Sequence, residues 1–401
     1  MATVNVCMIG PTGCGKTSVL AVMLNDVQQF ISRLIANGET NFGREDVRPS
    51  LVASNPLTQV RLTNAYPCLE QLVVNAKKSG GKVDVEASGM ISTGNAASMP
   101  LRLSIGRHST EIVFWDFPGG FFSQTQVDRG AFDADDVKTW EGIITRADVL
   151  LIAIDASVQL GEEDLLKDQT YYSRITELVK RSVDHSVTTV VFVPVKCEHL
   201  ALTSEYDESL DQIVQRFEES RCLDLQARVR QRFGDLMAFA EDPATWTNID
   251  AYFMPMITVG GIKSSGYRFD PVRRRGIVSF APVLMEYLGK TPFAPRNCDK
   301  ILALCLLRVY QQLVAEWKAD RTILDVIRSW FGDKTPFEAF FGELVRKFQF
   351  YPMMARKEIE LWKTREDSEK VAAWSAYLES QRGIQYDGCE CLNACYYPLS
   401  V

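Results

Sequence analysis

Residues Gly10-Pro11-Thr12-Gly13-Cys14-Gly15-Lys16-Thr17 fit the pattern G-x-x-x-x-G-K-[ST] in full and follow the apolar segment Val4-Asn5-Val6-Cys7-Met8-Ile9. Glycines at those places let the backbone wind so that successive N–H groups point inward, and a helix opening near Lys16 adds the positive end of its dipole. Such a concavity suits the phosphates of a nucleoside triphosphate. In this reading Lys16 reaches the β- and γ-phosphates, Thr17 offers a hydroxyl to the Mg²⁺ that rides on them, and Ser18 extends the binding turn. A strand before the loop and a helix after it commit the chain to an α/β fold.

Composition narrows the class. At 401 residues the chain can bury a large core and should divide into more than one domain. A net charge of −7 gives no basic footprint for nucleic acid. No apolar stretch reaches the roughly 18 residues of a membrane span, which argues against an integral membrane segment. The first apolar run has no basic segment before it and is too short for a secretory signal, so the ten cysteines are expected as thiols in a reducing, cytoplasmic setting.

Strand- and helix-like patterns alternate through residue 290, and helical patterns follow. Val19, Leu20, Val22, Met23, Val27, Phe30, Ile31, Leu34 and Ile35 recur at near-helical spacing up to the stop signal Asn37-Gly38. Residues 39–81 read as an insertion: a polar entry, then a helical stretch over 57–78 interrupted at Pro67. Residues 101–105 and 111–115 flank a Gly106-Arg107-His108-Ser109 turn and predict a β-hairpin. The continuous apolar runs 147–154, 187–195 and 252–259 suit strands buried on both faces of a sheet. Helices are expected across 162–182 and 210–240, the second long enough to suggest another insertion at about 204–245.

Two further motifs stand at strand ends. In Trp115-Asp116-Phe117-Pro118-Gly119-Gly120, Asp116 can hold the Mg²⁺ shell and Gly119 can offer its N–H to the γ-phosphate with no side chain in the way. In Val195-Lys196-Cys197-Glu198, the alkyl stem of Lys196 can lie over a purine ring. The carboxylate of Glu198 can accept both N1–H and the N2 amine of guanine, whereas adenine offers a lone pair at that edge.

With these motifs in this order, the chain resembles the TRAFAC-class GTPases of the P-loop superfamily over roughly residues 1–290, and among them the large bacterial GTPases of conflict and signalling systems. The resemblance implies a three-layer P-loop NTPase fold with a mostly parallel sheet, one antiparallel strand pair, and nucleotide at the carboxyl ends of the strands. Departures from the pattern are Glu198 in place of Asp, Val195 in place of Asn or Thr, and Gly120 where many relatives carry the Gln that orients the attacking water. Slow unassisted hydrolysis follows, unless Gln124, Gln126 or a partner supplies the missing group. Phe121 and Phe122 either shield the site, form a nucleotide-sensitive contact surface, or pack in the core. The resemblance also implies a mobile-loop threonine on Mg²⁺ and the γ-phosphate. Thr93 is chosen for it over Thr58 and Thr63, and a base-facing loop is expected at Thr258-Val259-Gly260-Gly261-Ile262.

Residues 291–401 read as a helical module, with apolar stripes from Ile301 to Trp317 and from Phe337 to Phe348 and a more polar helical stretch over 363–382. Cys389, Cys391 and Cys395 crowd together, but His108, His185 and His199 lie far from them in sequence, so plain thiols are expected over a metal site or a site of reversible oxidation or acylation. Arg273-Arg274-Arg275 reads as a solvated loop, with contact to phosphate or an acidic partner as the alternative. The combined expectation is a guanine-nucleotide switch with Mg²⁺-dependent hydrolysis of GTP to GDP, reporting its state through loops near Thr93 and Phe121 to a protein partner or to the C-terminal helices. A homo-oligomer is compatible with the sequence. The alternatives are an ATPase and a non-catalytic nucleotide-binding assembly subunit.

Overall fold

The structure is a computed structural model and describes residues 3–11, 14–36, 49–78, 82–84, 96–105, 108–122, 130–156, 169–183, 188–197, 222–242, 244–245, 249–258, 262–270, 275–282, 295, 297–298, 300–302, 304–306, 308 and 390–391. The first half contains β1 (Thr3–Ile9), α1 (Lys16–Ala36), β2 (Ser50–Ala53), α2 (Pro56–Lys78), β3 (Lys82–Asp84), β4 (Ala97–Ile105), β5 (His108–Asp116) and α3 (Ala134–Ile144). Then follow β6 (Val149–Asp155), α4 (Gln169–Val183), β7 (Thr188–Val195), α5 (Cys222–Arg232), α6 (Gly234–Glu241), β8 (Ile249–Phe253), β9 (Ile262–Asp270), β10 (Arg275–Pro282) and β11 (Glu390–Cys391).

Among the described residues the main sheet has eight strands in the order β11-β8-β7-β6-β1-β5-β4-β2. Strands β8, β7, β6, β1 and β5 run parallel, while β4, β2 and β11 pair antiparallel with their neighbours. The expected antiparallel pair is therefore present as β4 and β5. The mixed α/β arrangement is consistent with a P-loop NTPase fold.

The central strands are apolar on both sides because both faces are covered. Every residue of β6 is buried. Its Leu150, Ile152 and Ile154 join Cys7, Ile9, Val190 and Phe192 in one core, closed by Ile144 of α3, Ile175 and Val179 of α4, Val229 of α5 and Leu236 of α6. The alternate set Val6, Met8, Leu151, Val191 and Val193 is buried as well. Helix α1, buried at Val19, Val22, Met23 and Val27, packs along α2 and touches β2.

Several expectations change. Residues 50–53, read as part of a polar insertion, form the edge strand β2 beside β4. Helix α2 runs through Pro67 without a break. Pro67 is exposed, so the carbonyl it deprives of a partner lies on the solvent side, where water can satisfy it. The hairpin starts at Ala97, four residues before the expected Leu101; Pro100 pairs with Val113 on one side, and on the other the Ser54 N–H, just past the end of β2, donates to its carbonyl at 2.9 Å, so the sheet loses one bond to the proline only where its edge strand ends.

A second sheet, β3-β10-β9, was not expected, and Arg275, placed in a solvated loop by sequence, opens its strand β10 opposite Asp270. The strand foreseen over 252–259 ends at Phe253, with residues 254–256 continuing in extended bonding to β7. The helix expected over 210–240 is two helices that meet at Phe233 within its described part. Beyond residue 290, residues 300–302, 304–306 and 308 are helical, while Glu390–Cys391 adds a strand to β8 of the main sheet. The two later helical stretches, 337–348 and 363–382, lie outside the described residues.

Candidate functional site

Strand β1 stops at Ile9, and the turn to α1 is shaped by two glycines with different duties. Gly15 has φ +101, a conformation in which an L side chain is strained. Gly10 is held by space: a Cβ there would lie 2.9 Å from the Ala153 carbonyl oxygen and 3.0 Å from the Cys14 sulfur. The loop thus lies against β6, with Cys14 buried beneath it. Burial pushes the Cys14 thiol up. The charges of Lys16 and Lys196 oppose that shift, and those of Asp155 and Asp116 add to it. Lys16 is buried, and its Nζ donates to the carbonyls of Gly10 and Pro11, both at 3.1 Å. Its ammonium is therefore folded into the loop whose phosphate it is expected to meet. Ser18 is buried in the first turn of α1.

Parallel pairing sets the next contact. Met8 of β1 stands in register with Asp116 at the end of β5, so Asp116 ends beside the loop. The Thr17 hydroxyl donates to Asp116 Oδ2 at 3.0 Å, and Asp116 is buried. A hydroxyl and a carboxylate brought together from two elements form a hard-oxygen donor set, the kind Mg²⁺ prefers. These two residues fit the ion.

After Asp116, Phe117 and the short 3-10 turn Gly119–Phe122 bend the chain into the core, with the Phe121 N–H donating to Pro118 O at 3.0 Å. Phe121 and Phe122 are fully buried, which excludes the exposed contact surface considered from sequence. Phe121 packs edge-on against Phe122 at 4.9 Å and Trp140 at 5.2 Å, and the Arg174 guanidinium lies 4.8 Å from its ring centre. Arg174 in turn pairs with Glu141 at 3.1 Å, tying α4 to α3. Asp133 caps α3, its side chain accepting from the Asp135 N–H at 2.8 Å.

On the other side of the loop, Lys196 follows β7 at φ +59, and its Nζ forms an ion pair with Asp155 Oδ2 at the end of β6. Asp155 escaped the sequence reading; the available signal was an acid ending the apolar run of a strand, the position where α/β sheets place ligand-facing groups. Cys197 is buried and its N–H donates to Met256 O at 3.0 Å, joining the Lys196 turn to the segment before Thr258. Thr258 itself is buried. Asn297 Nδ2 donates to Pro255 O at 3.0 Å, so the start of the C-terminal part grips the same segment.

The structure thus brings together Gly10, Pro11, Cys14, Gly15, Lys16, Thr17, Ser18, Asp116 and Lys196 at the carboxyl ends of β1, β5 and β7, with Gly119 three residues past Asp116 in the turn that enters the core. Thr12, Gly13, Thr93, Gln124, Gln126, Glu198 and residues 259–261 lie outside the described residues. Thr58, the rejected alternative to Thr93, is buried in the first turn of α2, where its N–H donates to the Asn55 side chain at 2.8 Å. Cys391 lies in β11, and Cys389 and Cys395 lie outside the described residues, among which no cluster of three or more His, Cys, Asp or Glu suits a metal ion. Among the described residues no helix is long and apolar enough to cross a membrane.

No family model and no curated protein matches the chain. Among solved structures it is similar to the GTPase-like domain of Ski7 from S. cerevisiae, determined with GDP and inorganic phosphate, at 12% identity and a TM-score of 0.31. The match covers 78% of this chain and 50% of that one, so the chain spans about half of the neighbour's length.

Proposed function

We propose that the chain binds GTP with Mg²⁺ at the carboxyl ends of β1, β5 and β7, hydrolyses it slowly to GDP, and acts as a nucleotide-dependent switch. The observation that carries this reading is the Thr17–Asp116 contact of 3.0 Å beside the buried Lys16. A phosphate-gripping lysine, a hydroxyl and a carboxylate converge where a triphosphate would lie. Lys16 exchanges the Gly10 and Pro11 carbonyls for phosphate oxygens, and the loop N–H groups from Gly10 to Ser18 hold the rest of the anion. Thr17 and Asp116, with Thr93 from its own loop, hold Mg²⁺. When bound, that ion neutralises charge on the transferred phosphoryl group. The Gly119 N–H reads the γ-phosphate. Lys196 covers the purine, and Glu198 selects guanine.

Gly120 presents no side chain to orient water, so hydrolysis is slow until a protein partner supplies that group. Because Phe121 is a core residue, the change at Gly119 travels through Trp140 and Arg174 to α3 and α4 and not by an exposed aromatic face. Single-turnover hydrolysis of GTP tests the proposal. Wild type should turn over slowly, faster with cell extract, and Lys16→Ala should not; equal rates in both would end it. A second reading, a nucleotide-binding assembly subunit without catalysis, draws on Gly120. It predicts GTP binding with no turnover under any of these conditions.

A further inference from the structure

Strand order puts β6 between the strand that carries the phosphate loop and the strand that carries the purine-facing lysine. Its carboxyl end touches both. Ala153 lies against the space beside Gly10, and two residues later Asp155 stands in register with Val195, the neighbour of Lys196. Lys196 sits at φ +59, a region that costs a side-chain-bearing residue energy and persists where its surroundings impose it. The ion pair with Asp155 is one such constraint, made in a site where the two side chains keep only 16% and 9% of their exposure. A charged pair this shielded fixes geometry more firmly than a surface pair.

We infer that Asp155 is a positioning residue for nucleotide binding: by holding the Lys196 ammonium it keeps the lysine stem laid along the purine face, and its effect on affinity runs chiefly through Lys196. The inference rests on the proposed function. Lysine over a ring face contributes without regard to the exocyclic groups of the base, whereas a carboxylate at the base edge reads those groups. Asp155 should therefore affect GDP and IDP alike and leave base discrimination to Glu198. Its own charge is neutralised by Lys196. When Lys196 is truncated, the Asp155 carboxylate loses this counter-charge near the loop, and removing it should then cost much less than in the native background.

A double-mutant cycle on the full chain, read by equilibrium binding of GDP and IDP, tests this. Asp155→Asn in the native background should weaken both nucleotides by about tenfold, within the range of coupling found for contacting residues. In the Lys196→Ala background the same change should weaken both by far less than tenfold, and a partial recovery of affinity agrees with the inference. The ratio of GDP to IDP affinity should stay fixed in every variant that keeps Glu198, which a general loosening of the site would not guarantee. If Asp155→Asn alone fails to fold, the comparison of Lys196→Ala with the double variant decides, since the double variant lacks the uncompensated carboxylate. Additive losses, an undiminished loss in the Lys196→Ala background, or an altered GDP to IDP ratio would overturn the inference. Failure of wild type to bind GDP would instead remove the proposed function beneath it.

Discussion

Replacing Phe121 by alanine tests how firmly the segment after Gly119 is anchored. The ring is fully buried, stands 4.9–6.4 Å from the rings of Phe122, Trp140, Phe117 and Phe132, and carries a guanidinium 4.8 Å above it. Truncating a buried phenylalanine to alanine costs about 3–5 kcal/mol through lost transfer energy and the cavity left behind. Edge-on aromatic pairs add roughly 0.5–1.5 kcal/mol each, and a cation over a shielded ring about as much, although these contributions are not additive. A loss of about 4 kcal/mol is therefore expected, a large share of the roughly 5–15 kcal/mol typical of a domain. Leucine, which refills much of the space, should lose about half as much. Urea unfolding followed by tryptophan fluorescence reads both, because Trp140 is part of the cluster. A loss below about 1 kcal/mol for Phe121→Ala, the scale of a surface substitution, would refute the reasoning.

Further outcomes follow from the loop and from the buried thiols. Gly10→Ala forces a Cβ to within 2.9 Å of the Ala153 backbone oxygen and should cost about 1–3 kcal/mol with a loss of triphosphate binding. Gly15→Ala meets no atom within 4 Å and should cost only the backbone term, about 1–2 kcal/mol; denaturation with GTP titration separates the two, and a harmless Gly10→Ala contradicts the packing argument. Thr17→Ala should bind GTP as wild type does in the presence of a chelator but lose the gain that magnesium brings, and a retained gain counts against Thr17 as a ligand. Burial pushes the thiols of Cys7, Cys14 and Cys305 well above their ordinary value of 9.0. The unfolded chain then loses these protons first, so stability is complete below about pH 9 and falls above it, by up to about 1.4 kcal/mol per pH unit for each thiol. Thermal melts between about pH 8 and pH 10 check this, and Cys7→Ala should flatten the slope; melts independent of pH would contradict it.

The parts of the site legible in sequence are those written contiguously. The loop from Gly10 to Thr17 carries its strand, glycines and helix within one short stretch, so Gly15 at φ +101 and the exit into α1 at Lys16 follow from the residues themselves. The β4–β5 hairpin is likewise local. What sequence could not show depends on pairing between distant segments. Asp155 gains its meaning from the parallel register that sets it beside Val195. Strands β9 and β10 are interrupted by polar residues and glycine, and β3 is short, so only their mutual pairing reveals the second sheet. Pro67 misled for a related reason: the rule that proline ends a helix presumes a buried or unsatisfied carbonyl, and here the position is exposed. Phe121 and Phe122, ambiguous in sequence, are settled by the packing of α3 and α4 around them.

The central claim is that the loop from Gly10 to Thr17 and the acid at Asp116 form a magnesium-dependent site for GTP. Isothermal titration of the folded chain with GTP, with and without magnesium, addresses it directly. The account predicts saturable heat that strengthens with magnesium, is lost in Lys16→Ala, and exceeds that given by ATP. Absence of any heat from folded wild type with GTP and magnesium would contradict it.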